Sequence, residues 1–314
     1  MAGRRIVVRG VPYRIDEQIG HGLHSLVYGG RDLRDGRSVA IKIINFAHGS
    51  TGVKAETKSR RQTFWKELEM LTYLQPLNPY VIRVFNHDYN SRYGIIVMER
   101  GETFRDTMLE YVLSKTPMPL ALVQKFWSQM VEAIYYMHQI GIVHGDCKPE
   151  NFIQVGSDGT ALRLIDMGIS FQLPPNMTSR IITAAGTPGK CSNEHLIDKS
   201  LSRSFSFLYI DYVSPEMINT RVGSSSRSRY GYKADVWALG VILFEMAFGF
   251  RPLQALGGNQ TKLSFLGRLQ RDMRIPDHPD KQLRDILKRC LRFDHRRRAT
   301  IDQILNHPFL TRAR

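Results

Sequence analysis

Cysteine is nearly missing from this sequence. Its 314 residues hold three, Cys147, Cys191 and Cys290. That odd, scattered set contains no C-x-x-C pair, which argues against a disulfide scaffold and against a zinc site. A reducing, intracellular setting is the simplest reading. Long apolar runs are lacking too, and none approaches the roughly 20 residues that cross a bilayer. The apolar stretch after the first five residues is too short for a secretory signal. Gly3 is not the second-position glycine that myristoylation requires. No internal repeat is visible. Negative charge is in deficit: 29 Asp and Glu stand against 44 Lys and Arg, a net charge of +15 with a pI of about 9.9. Such a balance could serve nucleic acid, acidic membranes or acidic protein segments. The excess is dispersed, however, over Arg4, Arg5, Arg9 and residues 58–61, 227–229 and 288–298. Without a nucleic-acid-binding motif these read as solvated basic faces, and neither a nucleic-acid nor a membrane partner is expected.

What is present suits a folded chain with a sizeable core: 42% of residues are hydrophobic and 23% charged. The length allows two lobes. Over residues 1–100 short strands dominate. Stretches 13–19 and 26–31 flank a glycine-bearing turn, 38–45 is a β-branched run, and 81–85 and 93–98 read as further strands. One helix interrupts them over 63–74, through Phe64, Leu68, Leu71 and Leu74. From Phe104 onward the chain turns helical. Residues 120–140 carry an apolar face of Val123, Trp127, Met130, Val131, Ile134 and Met137. Residues 235–248 read as a buried helix, and 280–291 and 300–305 as amphipathic ones. Residues 174–207 and 221–231, rich in Ser, Thr, Gly, Pro or Arg, read as loops.

Chemistry-bearing residues punctuate this pattern. In His144-Gly145-Asp146-Cys147-Lys148-Pro149-Glu150-Asn151, a carboxylate, a lysine and an amide stand at i, i+2 and i+5. The carboxylate can accept a proton from a hydroxyl, the lysine can neutralise a transferring phosphoryl group, and the amide can ligate a metal. Gly20-His21-Gly22 lies in a hairpin whose backbone amides can cover phosphates. Val39-Ala40-Ile41-Lys42 ends an apolar strand on a lysine that can reach phosphate oxygens. Glu67 shares the inward face of its helix with Phe64 and Leu71 and is the candidate partner of Lys42; Glu69 points more outward. Asp166-Met167-Gly168 places a carboxylate at a strand end before a glycine, which suits Mg²⁺ ligation. Ser214-Pro215-Glu216, Asp235-Val236-Trp237 and Arg298 complete the set, with a buried Glu216–Arg298 pair expected to be structural.

Taken together, from Gly20 to Phe309, these motifs resemble the eukaryotic protein kinase family. The resemblance implies an α+β, bilobal protein-kinase fold. A small, mainly β lobe over 1–100 and a larger helical lobe over 101–314 would form one domain spanning about 13–310. It implies ATP and Mg²⁺ as cofactors and transfer of the γ-phosphoryl group to a protein hydroxyl. Asp146 would be the catalytic base and Lys148 the γ-phosphate neutraliser. Asn151 and Asp166 would hold Mg²⁺, and Lys42 and Glu67 would form the activating ion pair. Met98 would be the gatekeeper, with Glu99 and Gly101 in the adenine-binding hinge and Ile19, Gly20, Gly22, Val27 and Ala40 lining the nucleotide. Residues 140–146, 164–169, 275–283 and 97–101, with the Ser/Arg-rich insert before Asp235, are similar to the monopolar-spindle, TTK-like dual-specificity kinases. That likeness implies Ser/Thr and sometimes Tyr phosphorylation in spindle-checkpoint signalling. It also implies kinetochore or checkpoint partners and a place in cytoplasm and nucleus or at the spindle. Bub-type checkpoint kinases match through His144-Gly145-Asp146. The alternative is a pseudokinase scaffold that binds partners without transfer.

The sequence departs from the family pattern at three places. Gly145 stands where an arginine usually pairs with a phosphorylated activation loop. Met167 replaces a phenylalanine. The Gly-Thr normally just upstream of Pro215-Glu216 is absent there, with Leu208-Tyr209 in its place and Gly186-Thr187 far upstream. The segment also holds hydroxyls suited to autophosphorylation, Thr178, Ser179, Thr183, Thr187, Ser200, Ser202, Ser204 and Ser206. Arg180, Lys190, Lys199 and Arg203 lie nearby to pair with phosphates; a plain solvated polar loop is the equal alternative.

Overall fold

Short runs rich in β-branched and aromatic residues, which favour strands, build a six-stranded antiparallel sheet from the first hundred residues, in the order β1-β2-β3-β4-β6-β5. Its strands are β1 (Arg5–Val8), β2 (Val11–His21), β3 (Ser25–Asp32), β4 (Ser38–Asn45), β5 (Val84–Tyr89) and β6 (Tyr93–Glu99). Val8, Tyr13, Ile15, Val39, Ile41 and Val97 form its buried core. The computed structural model describes residues 3–22, 25–46, 54–156, 158–183, 210–218, 220–222 and 225–312. The expected strand over 38–45 is found with those bounds.

Two features of this sheet differ from the sequence reading. β1 was not expected; it is created by a hairpin whose two turn residues, Arg9 and Gly10, both have positive φ, 45° and 81°. Two-residue hairpins want that geometry, but arginine is a weak signal for it. The strand expected over 81–85 begins instead at Val84 and runs through the polar residues Asn86, His87 and Asp88. Pairing with β6 holds them, and Asn86 Nδ2 donates to the Val8 carbonyl at 2.8 Å.

One helix, α1 (Lys54–Leu74), belongs to this unit. Phe64, Leu68, Leu71 and Leu74 are buried along it at helical spacing. The same unit, Met1–Glu102, also takes in Ile153–Gly168, where Ala161–Leu164 leads to Asp166 and Val81 bridges in parallel to Leu164.

The second unit, Thr103–Phe152 with Ile169–Arg314, is mainly helical. α2 spans Phe104–Leu113 and α3 Leu120–Gln139, whose buried face contains all six residues expected of it. The helix Tyr232–Phe248 is buried on every side from Ala234 to Met246, as an all-round apolar helix must be. Helices at Asn259–Arg268, Lys281–Cys290, Ile301–Leu305 and Pro308–Thr311 follow.

The segments read as loops contain strands. Ser179–Thr183 pairs with Ser225–Gly231, which pairs in turn with Thr220–Val222. Serine and arginine are poor strand signals, but each strand supplies a ladder for its neighbour, and backbone hydrogen bonding overrides propensity. No helix among the described residues is long and apolar enough to cross a membrane.

Candidate active site

In the first unit, sheet register places the candidate residues. Gly20 pairs with Val27, Val27 with Lys42 and Lys42 with Ile96, so the glycine turn and the lysine share one row across four strands. Two residues along β4, on the same face by strand alternation, Ala40 pairs with Met98, and both are buried. Ile19 stays 38% exposed at the end of β2. Gly22 donates its N–H to the Ser25 carbonyl at 2.8 Å; Leu23 and His24 lie outside the described residues.

Lys42 donates to Glu67 in a buried ion pair. Glu67 lies on the inward face of α1, whereas Glu69 is exposed, as helical phase requires. A carboxylate in this position needs a cation, because burial of an unpaired charge is costly. Burial pulls the Lys42 ammonium down, but Glu67 and Asp166 more than offset it, and its pKa lies above the ordinary lysine value. Burial and the second carboxylate push Glu67 up, and Lys42 counters them only in part. Lys42 thus lies within electrostatic reach of two carboxylates, Glu67 and Asp166.

Asp166 Oδ1 accepts the Gly168 N–H at 2.8 Å, and Lys66 donates to the Gly168 carbonyl at 3.3 Å. Met167 is fully buried, so the thioether fills the space as an apolar side chain. At the end of β6, Glu99 pairs with Arg163 at 3.3 Å. Gly101 has a steric reason to be glycine: a Cβ there would run into the Gln154 carbonyl oxygen.

In the second unit, the candidate residues lie on the loop 144–151. Lys148 Nζ donates to Asp146 Oδ2 at 2.6 Å. Asn151 Nδ2 donates to the same oxygen at 3.0 Å and to the Asp146 carbonyl at 2.7 Å. A turn of 3₁₀ helix at Pro149–Asn151 makes this spacing work. Asp146 is about one-third exposed and Lys148 mostly buried, so the carboxylate is oriented by two donors and still open to a hydroxyl.

Asp235 fastens the loop from below. Its carboxylate accepts from the backbone N–H of His144 at 2.9 Å and of Gly145 at 2.8 Å, and lies 2.9 Å from His138 Nε2. Burial pushes this carboxyl up, but the His138 and backbone contacts prevail and hold it below the usual range. Sequence motifs placed Asp235 in the set without a role; its contacts, 90 residues away along the chain, supply one. Asp235, His144 and Cys147 cluster closely enough to suggest a metal, yet both Asp235 oxygens are committed to loop hydrogen bonds.

Gly145 has φ +81°, and a Cβ there would meet Ile169 Cδ1 at an ordinary 3.6 Å. The constraint is therefore the left-handed backbone rather than space. Gly145→Ala is expected to lower unfolding free energy by about 1 kcal/mol, measured by urea denaturation. An unchanged midpoint would show that the loop relaxes away from this conformation.

The expected structural pair is present. Arg298 grips Glu216 with two hydrogen bonds, 2.6 and 2.9 Å, and its guanidinium lies 4.9 Å from the Trp237 ring centroid. Arg296 is solvated and pairs with Asp294. Of the activation-segment hydroxyls, Thr178, Ser179 and Thr183 lie on described backbone, and Ser179 Oγ accepts from Arg229 Nη1 at 2.8 Å. Thr187, Ser200, Ser202, Ser204 and Ser206, with Gly186, Lys190, Cys191, Lys199, Arg203, Leu208 and Tyr209, lie outside the described residues.

A curled β unit with a lysine–glutamate pair, and a helical unit whose loop orients an aspartate, define a phosphotransferase-type architecture. The protein kinase domain family matches residues 13–310, and the chain belongs to that family. It is 31% identical over 307 residues to the dual specificity protein kinase Ttk of Danio rerio, covering 97% of this chain and 28% of that protein. It is 30% identical over 311 residues to the dual specificity protein kinase TTK of Mus musculus, covering 97% and 32%. With the serine/threonine-protein kinase mph1 of Schizosaccharomyces pombe the identity is 28% over 318 residues, covering 93% and 42%. The chain thus spans less than half the length of these relatives.

Proposed function

We propose that this chain is an active protein serine/threonine kinase of dual-specificity type, transferring the γ-phosphoryl group of ATP to protein hydroxyls. The observation that carries the reading is Asp146 held by Lys148 and Asn151 in a loop pinned by Asp235. Asp146 accepts the proton of the acceptor hydroxyl. Lys148, already beside it, neutralises charge on the group in transfer. Lys42, kept charged by Glu67, binds nucleotide phosphates, and the backbone at Gly20 and Gly22 covers them. Ile19, Val27, Ala40 and Met98 offer apolar surface to the adenine, and Glu99 and Gly101 offer backbone at the hinge.

The donor chemistry fits Mg²⁺, a hard cation that takes oxygen ligands. Asp166 brings a carboxylate, and Asn151, whose amide nitrogen is spent on Asp146, brings its amide oxygen. When bound, the metal neutralises phosphate charge. Catalysis by these residues is chiefly positioning and charge neutralisation. The names of two relatives support dual specificity; a role in checkpoint signalling with kinetochore-associated partners is what the resemblance to the monopolar-spindle kinases implies.

Incubation with γ-labelled ATP and Mg²⁺, followed by phosphoamino-acid separation, tests the reading. Label on serine and threonine, with a minor share on tyrosine, is expected in the chain or in an added protein. A folded chain that binds ATP in a thermal-shift experiment yet transfers no label would establish the scaffold alternative.

A further inference from the structure

Arginines of this chain are paired in two different settings. In the second unit Arg105 is enclosed by carboxylates, donating to Glu150 Oε1 and to Glu245 Oε1 at 2.8 Å each. In the first unit Arg100, the residue after β6, donates from Nη2 to Glu17 Oε1 on β2. In the sheet order β4 and β3 lie between β6 and β2, so this arginine reaches back over two strands.

Gly29 on β3 lets it pass. A Cβ there would lie 2.6 Å from Arg100 Nη1, 2.8 Å from its Cζ and 2.9 Å from Glu17 Oε1. The ion pair therefore rests directly on the bare glycine. Gly29 pairs with Ala40 and Ala40 with Met98, while Val27, two positions back on β3, pairs with Lys42. By strand alternation Gly29 shares the face of Val27, Ala40 and Met98. The intervening residues Tyr28, Ile41 and Val97 belong to the buried core on the other face. The ion pair thus lies on the face assigned above to the nucleotide.

The two ends of the pair are held unequally. Beside Arg100, Glu99 is paired with Arg163 at 3.3 Å, and Gly101 fits closely against the Gln154 carbonyl. At the other end the ladder between β2 and β3 is interrupted. Ile15 pairs with Gly30 and Gln18 with Tyr28, so Asp16 and Glu17 together stand opposite Gly29, and a second register shift follows before Gly20. Such bulges break local pairing, and they fall immediately before Ile19, Gly20 and Gly22. Its own backbone N–H and Arg100 hold the Glu17 carboxyl below the usual carboxylate range, so it is charged at neutral pH.

We propose that Arg100 and Glu17 are positioning residues for the nucleotide: their ion pair clasps the bulged end of β2, and with it the glycine turn, to the residue after β6 across Gly29. The proposal rests on the assignment of ATP to this face and not on phosphoryl transfer.

The test uses the full chain as wild type, Arg100→Gln, Glu17→Gln and the double variant. Titration calorimetry gives the affinity for ATP with Mg²⁺, and label transfer gives kcat and KM. Each single variant is expected to weaken ATP binding and raise KM by about threefold, the scale of one partly exposed ion pair, with kcat and melting temperature unchanged. Glu17→Gln separates a clasp from plain charge. Removing a negative charge near an anionic ligand tightens binding by Coulomb attraction alone, whereas loss of the clasp weakens it. The double variant should be no weaker than either single one, because one interaction is lost in all three. Unchanged or tighter ATP binding by Glu17→Gln, or losses that add in the double variant, overturns the proposal. Weaker binding by both single variants of a chain that transfers no label upholds the clasp and overturns the kinase reading. A wild type that binds no ATP overturns both.

Discussion

Asp146→Asn is expected to reduce phosphoryl transfer by about 10²–10⁴-fold, the range in which a positioned general base acts. The substitution keeps the size of the side chain and leaves Lys148, Asn151 and the backbone anchors to Asp235 in place. What it removes is the charge and the basic oxygen. The melting temperature and the thermal shift on adding ATP and Mg²⁺ should therefore stay close to those of the wild type while the rate collapses. Measurement of label transfer at saturating ATP separates the two. A variant that retained full activity would exclude Asp146 as the base, whatever the family pattern implies.

The second large effect concerns stability. Arg298→Met is expected to cost about 3–5 kcal/mol of unfolding free energy, because it leaves Glu216 charged and largely buried without a partner. Both members are removed from water, with Arg298 side-chain exposure at 0% and Glu216 at 10%. Arg298 also donates to the carbonyls of Arg292 and Lys233, so its loss frees backbone acceptors as well. The double variant Arg298→Met/Glu216→Leu should recover much of the loss, since no buried charge is then unpaired. Arg296→Ala, at an exposed residue two positions away, should change stability by no more than about 0.5 kcal/mol. Urea denaturation of the four proteins checks the pattern, and equal losses for Arg296 and Arg298 would refute it.

Much of the site was legible because its chemistry is local in sequence. The run 144–151 places Asp146, Lys148 and Asn151 within six residues, and a single turn suffices to bring them together. Helical phase distinguished Glu67 from Glu69, and β4 could be bounded from its β-branched run. Arg105, Glu150 and Glu245 were not legible as a cluster, since an arginine opening one helix and a glutamate inside an apolar helix 140 residues later share no pattern. The strands at Ser179–Thr183, Thr220–Val222 and Ser225–Gly231 escaped for a related reason: their serines and arginines form strands only when another segment supplies the ladder.

By itself the sequence determined which chemistry this chain can carry, because residue identity and short spacing decide which groups can donate, accept and ligate. It also determined the division into a β-rich and a helix-rich part, through the two periodicities of its apolar residues. Tertiary structure brought Lys42 to Glu67, a pair that helical phase had offered only as a candidate, and it alone decided that Asp235 holds the backbone of His144 and Gly145 and that Arg105 meets Glu150 and Glu245. It likewise turned Gly145 from a missing arginine into a left-handed backbone position. Coulombic and hydrogen-bond energies depend on distance and burial, and across gaps of 25 to 140 residues only the folded chain sets those.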